Sequence, residues 1–159
     1  MKFLASGERM KWAEWLVCIA VGVIAGCGMY TVRYAKGLSY LSNDPKACMN
    51  CHVMTDHYDS WVKASHHKVA SCNDCHIPHQ FPVKYIAKAK NGWNHSKAFT
   101  LQNFEEPIRI THQNLIDLQK NCVECHAALS TDIGGHERAK NGTARCTECH
   151  RSVGHMSLD

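Results

Sequence analysis

The sequence predicts a mainly α-helical chain with much irregular structure: one transmembrane helix near the N-terminus, then a compact domain organised by cysteines. Three observations predict this. An uncharged apolar run, "WLVCIAVGVIAGCGMYTV", covers residues 15–32. A Cys-x-x-Cys-His motif occurs four times after it. No strand-rich pattern surrounds those motifs.

The apolar run comes first. Eighteen residues without a charge stand at the lower edge of what crosses a bilayer as a helix. Trp12, Trp15, Tyr30 and Tyr34 bracket the run as interfacial anchors do. A cleaved signal peptide is disfavoured, because the run is long and its end, "MYTVRYAKG", is not a small-x-small cleavage site. A buried core helix is disfavoured because no second segment is apolar enough to cover it. Residues 15–35 are therefore expected to be an uncleaved anchor, with residues 1–14 on one side and 36–159 on the other. Cys18 and Cys27 lie inside the run with no histidine beside them and read as small apolar fillers. Lys2, Arg9 and Lys11 precede the run while Arg33, Lys36 and Lys46 follow it, so loop charge does not orient it.

The remaining eight cysteines form "CMNCH" at 48–52, "CNDCH" at 72–76, "CVECH" at 122–126 and "CTECH" at 146–150. Within each pair of motifs the starts lie 24 residues apart, and the pairs are offset by 74. This register reads as a two-motif unit present twice, about 44–100 and 112–159. Three chemistries want such cysteines. Zinc needs four tetrahedral ligands but does not require a histidine after the second cysteine every time. A redox dithiol sits in a βαβ context, which is missing. Covalent haem accounts for every feature: both thiols form thioethers and the next histidine reaches the iron. Four haems c are expected, attached at Cys48 and Cys51, Cys72 and Cys75, Cys122 and Cys125, Cys146 and Cys149.

Haem c is attached outside the bacterial cytoplasm. The expected arrangement is a single pass through the inner (cytoplasmic) membrane, residues 1–14 in the cytoplasm and the tetrahaem domain, 36–159, in the periplasm. Four haems leave about 30 residues for each, too few for private pockets, so the haems are expected to form most of the core. Their eight propionates outweigh the formal charge of +4 and would pair with lysine and arginine. No basic cluster with interleaved aromatics points to nucleic acid.

Eight histidines outside the motifs could complete the irons: His57, His66, His67, His79, His95, His112, His136 and His155. His155 lies too close to its own motif and suits a neighbouring haem. His66 or His67 could cap a haem from the other half. Met54, two residues after His52, is either a thioether ligand or a packing residue.

Three stretches, "KGLSYLSNDPKACMNCHVM" after the span, "SCNDCHIPH" and "KYIAKAKNGWNHSKAFT", resemble the NapC/NirT family of membrane-anchored multihaem quinol dehydrogenases. Within it the chain is most similar to the four-haem subunits that serve a nitrite reductase. The resemblance implies menaquinol oxidation at the periplasmic face and transfer of electrons to a pentahaem nitrite reductase that makes ammonia. It implies that Met54 binds the first iron and that His52 is set aside. It implies His76 on the second haem, with a lysine donated by the partner opposite. It implies His126 with His155 on the third haem and His150 with His67 on the fourth, His66 being the fallback for His67. The family also places a lysine, and seven residues later an acid, near the open haem. Lys84 matches the lysine, but the other position is Asn91, whose amide cannot take a quinol proton. His95 or another group would then serve. Lys88 and Lys90 read as a solvated helix face.

The leading expectation is a quinol dehydrogenase with no nitrite-reducing site of its own. The alternatives are a quinol dehydrogenase or tethered relay feeding a different periplasmic reductase, and a self-contained reductase. The last is opposed by the lack of a Cys-x-x-Cys-Lys variant.

Overall fold

A computed structural model describes residues 4–132 and 136–156. Residues 1–3 of the expected N-terminal segment, and 133–135 and 157–159 of the expected haem domain, lie outside the described residues. Backbone contacts divide the chain into two units, Met1–Ser39 and Tyr40–Asp159.

In the first unit one helix, α1 (Leu4–Tyr34), runs for 31 residues. It starts well before the apolar run because "ERMKWAEW" is rich in good helix formers. The part Lys11–Tyr34, 24 residues that contain an 18-residue window of mean hydropathy 2.0, is long and apolar enough to cross a membrane. At 1.5 Å per residue it measures about 36 Å, against a hydrocarbon core of about 30 Å. Side chains from 11 to 34 are exposed all round, as a helix apolar on every face requires when its solvent is lipid. Tyr30 and Tyr34, one turn apart, stack at 5.9 Å.

The second unit is helical wherever it is regular, with no strand among the described residues. Its helices are α2 (Thr55–Val62), α3 (Cys72–His76), α4 (Val83–Leu101), α5 (His112–Cys125), α6 (Ala127–Asp132), α7 (Glu137–Lys140) and α8 (Cys146–Cys149). Two 3-10 segments, Pro45–Asn50 and His52–Met54, carry the first motif.

Local chemistry sets these boundaries. Asp44 accepts from the Lys46 amide, with Pro45 opening the first 3-10 segment. Ser71 and Asp74 form a capping box that starts α3. Thr111 caps α5 through the Asn114 amide. Gln102 closes α4 in the left-handed conformation. α3 packs on α5, and α2 on the first motif's 3-10 segment. Among the described residues only Trp61 and Ile77 are buried apolar side chains. That is a small core for a unit of this length, and it agrees with a core completed by haem.

Candidate functional site

The four motifs do not share one backbone form. In the second, Cys72, Cys75 and His76 all belong to α3. In the third and fourth, the helix ends on the second cysteine and the histidine, His126 or His150, is its C-cap. Cysteines three apart on a helix lie on one face, where one porphyrin can meet both. The first motif is broken. Cys51 is extended (φ −101°, ψ 119°) between the two 3-10 segments. His52 is exposed, while Met54 is half-buried at the start of α2.

The motifs stand in series. The Cys48 and Cys72 thiols hydrogen-bond, which lowers the Cys48 pKa to about 7 and raises that of Cys72. Burial raises Cys75, and Asp74 and the nearby Cys125 add to the rise. Burial also takes Cys122 to about 11, with Cys146 beside it. Neighbouring thiols thus link the first motif to the second, the second to the third and the third to the fourth.

An amide side chain spans each step. Asn73 Nδ2 donates to the Ser42 carbonyl at 3.1 Å, tying the second motif to the entry of the first. Asn121 is buried, and its Nδ2 donates to the carbonyls of Cys75 at 2.9 Å and Ile77 at 3.0 Å. Gln119 Nε2 donates to the Ala139 carbonyl at 3.0 Å and to Cys146 Sγ at 3.3 Å, while its Oε1 accepts from the Cys146 amide at 3.0 Å. Asn and Gln can donate and accept at once, so they replace sheet hydrogen bonds between short helices that share little apolar surface.

The imidazoles gather around the same motifs. Ring centroids lie 5.9 Å apart for His66 and His126, 6.3 Å for His136 and His150, and 6.0 Å for His76 and His155. His57 meets His155 at 5.0 Å. An iron–nitrogen bond of roughly 2 Å on each side, plus the two ring radii, puts trans imidazoles roughly 6 Å apart. The three wider pairs have that separation. His66 Nδ1 lies 3.1 Å from the Val153 carbonyl, a contact that orients the ring and leaves Nε2 free. Burial first, then the His155 and His57 rings, hold His76 down at about 4, so it is a neutral donor at physiological pH. The buried Nδ1 atoms of His57, His67 and His136 have no partner. Among the described residues no three His, Cys, Asp or Glu side chains converge as ligands for a bare metal ion. Haem c fits these residues better than zinc does.

The ring neighbours differ from the pairing that the family resemblance implies. His126 sits beside His66, His150 beside His136, and His155 beside His76 and His57. His67 packs edge-on against Trp61 at 4.5 Å, and Trp61 Nε1 donates to the Ala70 carbonyl at 3.1 Å.

On α4, Lys84, Lys88, Asn91 and His95 follow at helical spacing and share a face. Lys84 and Asn91 are half-buried and His95 is exposed. Lys88 is not the solvated residue that the sequence suggests; it is 4% exposed. Its Nζ donates to the carbonyls of Leu41 at 3.2 Å and Ser42 at 2.7 Å and to Asn43 Oδ1 at 2.9 Å. These three acceptors stabilise a buried cation that would otherwise be disfavoured, and they fix the segment that leads into the first motif. Lys90 is exposed, as expected. Nothing in the sequence near Lys88 announces its partners, which lie more than forty residues away.

Residues 8–159 match the NapC/NirT cytochrome c family, N-terminal region. The chain is 41% identical to the cytochrome c-type protein NrfH of Wolinella succinogenes, over 93% of this chain and 89% of that protein. It is 32% identical to the cytochrome c nitrite reductase subunit NrfH of Nitratidesulfovibrio vulgaris, over 87% and 80%. Its fold is similar to a chain in a crystal structure of the cytochrome c nitrite reductase NrfHA complex bound to the HQNO inhibitor. That match has a TM-score of 0.65 and 25% identity, over 90% of this chain and 92% of that one.

Proposed function

This chain belongs to the NapC/NirT cytochrome c family, and from that premise we propose that it is a single-pass tetrahaem cytochrome that oxidises menaquinol at the periplasmic face of the inner membrane and feeds a pentahaem nitrite reductase making ammonia. The observation that carries this reading is the series of four motifs, each joined to the next by neighbouring thiols and an amide side chain. A series is what a wire needs. The nitrite reductase partner is supported by the names of the two NrfH relatives and of the NrfHA complex. The haem-bearing unit is read as two dihaem halves.

Haem c, when bound, carries one electron at a time between two iron states. The chain does the rest. Eight thiols hold four such groups in the two-motif register. Asn73, Asn121 and Gln119 fix the steps between them. The break at Cys51 goes with an exposed His52 and a half-buried Met54, which supports Met54 as the residue that would hold the first iron. His76, His126 and His150, at helix ends, are the donors of the other three. For the third and fourth irons the family pairing is His155 and His67. The ring separations favour a second assignment, His66 and His136. At the second iron a lysine from the partner is the family expectation, and His155, parallel to His76 within 14°, is the internal rival. The quinol site lies on the α4 face of Lys84, Asn91 and His95.

The test is purification of the full haem-loaded chain from membranes without crosslinker, with mass spectrometry of what comes with it. A multihaem nitrite reductase and menaquinol-dependent haem reduction are expected. Another reductase in its place would reassign the partner, and reduction by dithionite but never by menaquinol would remove the quinol reading.

A further inference from the structure

Tyr40 Oη lies 3.2 Å from His95 Nδ1. The contact joins the start of the second unit to the third turn of α4, across 55 residues of sequence. Two features make it a built arrangement. The first is Gly92, three residues before His95 and therefore on the same face. A Cβ there would lie in ordinary van der Waals contact with the Tyr40 ring, at 3.4 Å, so the ring packs close over the α4 backbone at Gly92. The second is the location. Lys88, one turn before Gly92 on α4, donates to the carbonyls of Leu41 and Ser42, which fixes Tyr40 at the start of the segment that leads into Cys48 and Cys51. Tyr40 therefore stands at the entry to the attachment point of the first haem, where the quinol reading places the substrate.

We propose that Tyr40 positions His95 as the proton acceptor of the quinol site, its phenol oxygen taking the Nδ1 hydrogen and leaving Nε2 bare. The proposal rests on the quinol-oxidising reading above. Its logic is that of any histidine base whose second nitrogen is held by an oxygen: the held nitrogen sets the tautomer, and the other presents a lone pair. Tyr40 is 36% exposed, so its own O–H can turn to water and no polar group is stranded. Desolvation lowers the pKa of His95, the direction that favours the neutral ring. The balance closes. Oxidation of one quinol to quinone breaks two O–H bonds and releases two electrons and two protons. The electrons would go one at a time to a ferric haem held by Cys48 and Cys51, the one-electron acceptor that group would supply there. The protons leave one at a time to His95 Nε2 and from there to water. Asn91, an amide on the same face, need take none.

The experiment uses the full haem-loaded chain in detergent, with a soluble menaquinol analogue as reductant and dithionite as the control. Tyr40→Phe keeps the ring on Gly92 and removes only the hydroxyl. It is expected to lower kcat about tenfold with KM within about twofold, while haem spectra and dithionite reduction stay unchanged. His95→Gln is expected to lower kcat about a hundredfold. The double variant is expected to equal His95→Gln alone, because Tyr40 acts only through His95. Nitrogen NMR of the reduced, histidine-labelled chain is expected to show His95 with a bare Nε2, and a mixture of tautomers in Tyr40→Phe. A wild-type rate in Tyr40→Phe, losses that multiply in the double variant, or a protonated Nε2 in the wild type would each overturn the proposal and leave the quinol reading intact. A wild-type chain that dithionite reduces and the quinol analogue does not would overturn both.

Discussion

The first motif and the other three have the same spacing of cysteines and histidine but different backbones: two 3-10 segments broken at Cys51 in the first, α-helix through the second cysteine in the others. In the second, third and fourth motifs the helix carries through the second cysteine, so the histidine leaves the helix end in a set direction. In the first, Cys51 is extended and the helix restarts at His52 as a 3-10 turn. One Cys-x-x-Cys-His string thus takes more than one backbone form, and the direction in which its histidine points follows the backbone rather than the motif.

The variant expected to act most strongly on this contrast is Met54→Leu. Leucine keeps the bulk but removes the sulfur. Menaquinol oxidation is expected to fall about a hundredfold or more, with all four haems still attached by mass. His52→Ala is expected to change the spin state of its haem far less than His126→Ala or His150→Ala changes theirs. If His52 proves essential and Met54 replaceable, the first motif is ligated like the others and the contrast collapses.

Next in size is the amide that joins the second and third motifs. Asn121→Leu deletes two hydrogen bonds and leaves the carbonyls of Cys75 and Ile77 without that donor. A cost of about 2–4 kcal/mol is expected, read as a lower denaturation midpoint of the haem-loaded chain. Asn73→Ala, at the step to the first motif, loses a 3.1 Å bond to the Ser42 carbonyl and a long 3.4 Å one to Asn43 Oδ1 on a partly open surface and should cost about 1 kcal/mol. Equal losses would mean that the first motif is held as firmly as the others.

The distal histidines are separated by single-haem changes. With the family pairing, His67→Ala and His155→Ala each convert one haem to high spin and leave the rest unchanged. With the ring separations as guide, His66→Ala and His136→Ala do so instead. Electron paramagnetic resonance of the four variants reads the outcome directly.

The cytochrome c family and the long apolar helix were legible because both signals are local: a pentapeptide repeated four times, and an uncharged run bracketed by tryptophan and tyrosine. The position of α1's start was not, since "ERMKWAEW" is helical by propensity and carries no membrane signal. Lys88 was misread because periodicity says which face a residue shares, and here the face turns toward acceptors in Leu41–Asn43. Gly92 and Tyr40 were invisible for the same reason, as were Asn121 and Gln119. Each makes sense only beside a partner from another motif. A fold with so few buried apolar residues is written mostly in such long-range polar contacts, and hydrophobic pattern does not report them.

The smallest effect expected concerns Asp74, in the second motif, whose side chain closes the capping box of α3. Its carboxylate accepts from the Ser71 amide at 2.8 Å and the Ser71 hydroxyl at 2.7 Å. Burial pushes its pKa up, but those two bonds, with His79 and Lys84 nearby, outweigh it and hold the group below its ordinary value. A carboxyl with a folded pKa below its unfolded one contributes stability that is fully present above the unfolded pKa and is lost as pH falls through the folded one. The window therefore lies on the acid side of the usual aspartate range, well away from neutrality. Asp74→Ala should cost about 0.5–1 kcal/mol at pH 7, and the gap to the parent chain should close as pH is lowered below about 4. The first motif opens differently: its cap, Asp44, accepts from the Lys46 amide alone. If the gap between Asp74→Ala and the parent persists to low pH, the box is not an ionised one, and α3 is held by packing on α5 rather than by its own cap.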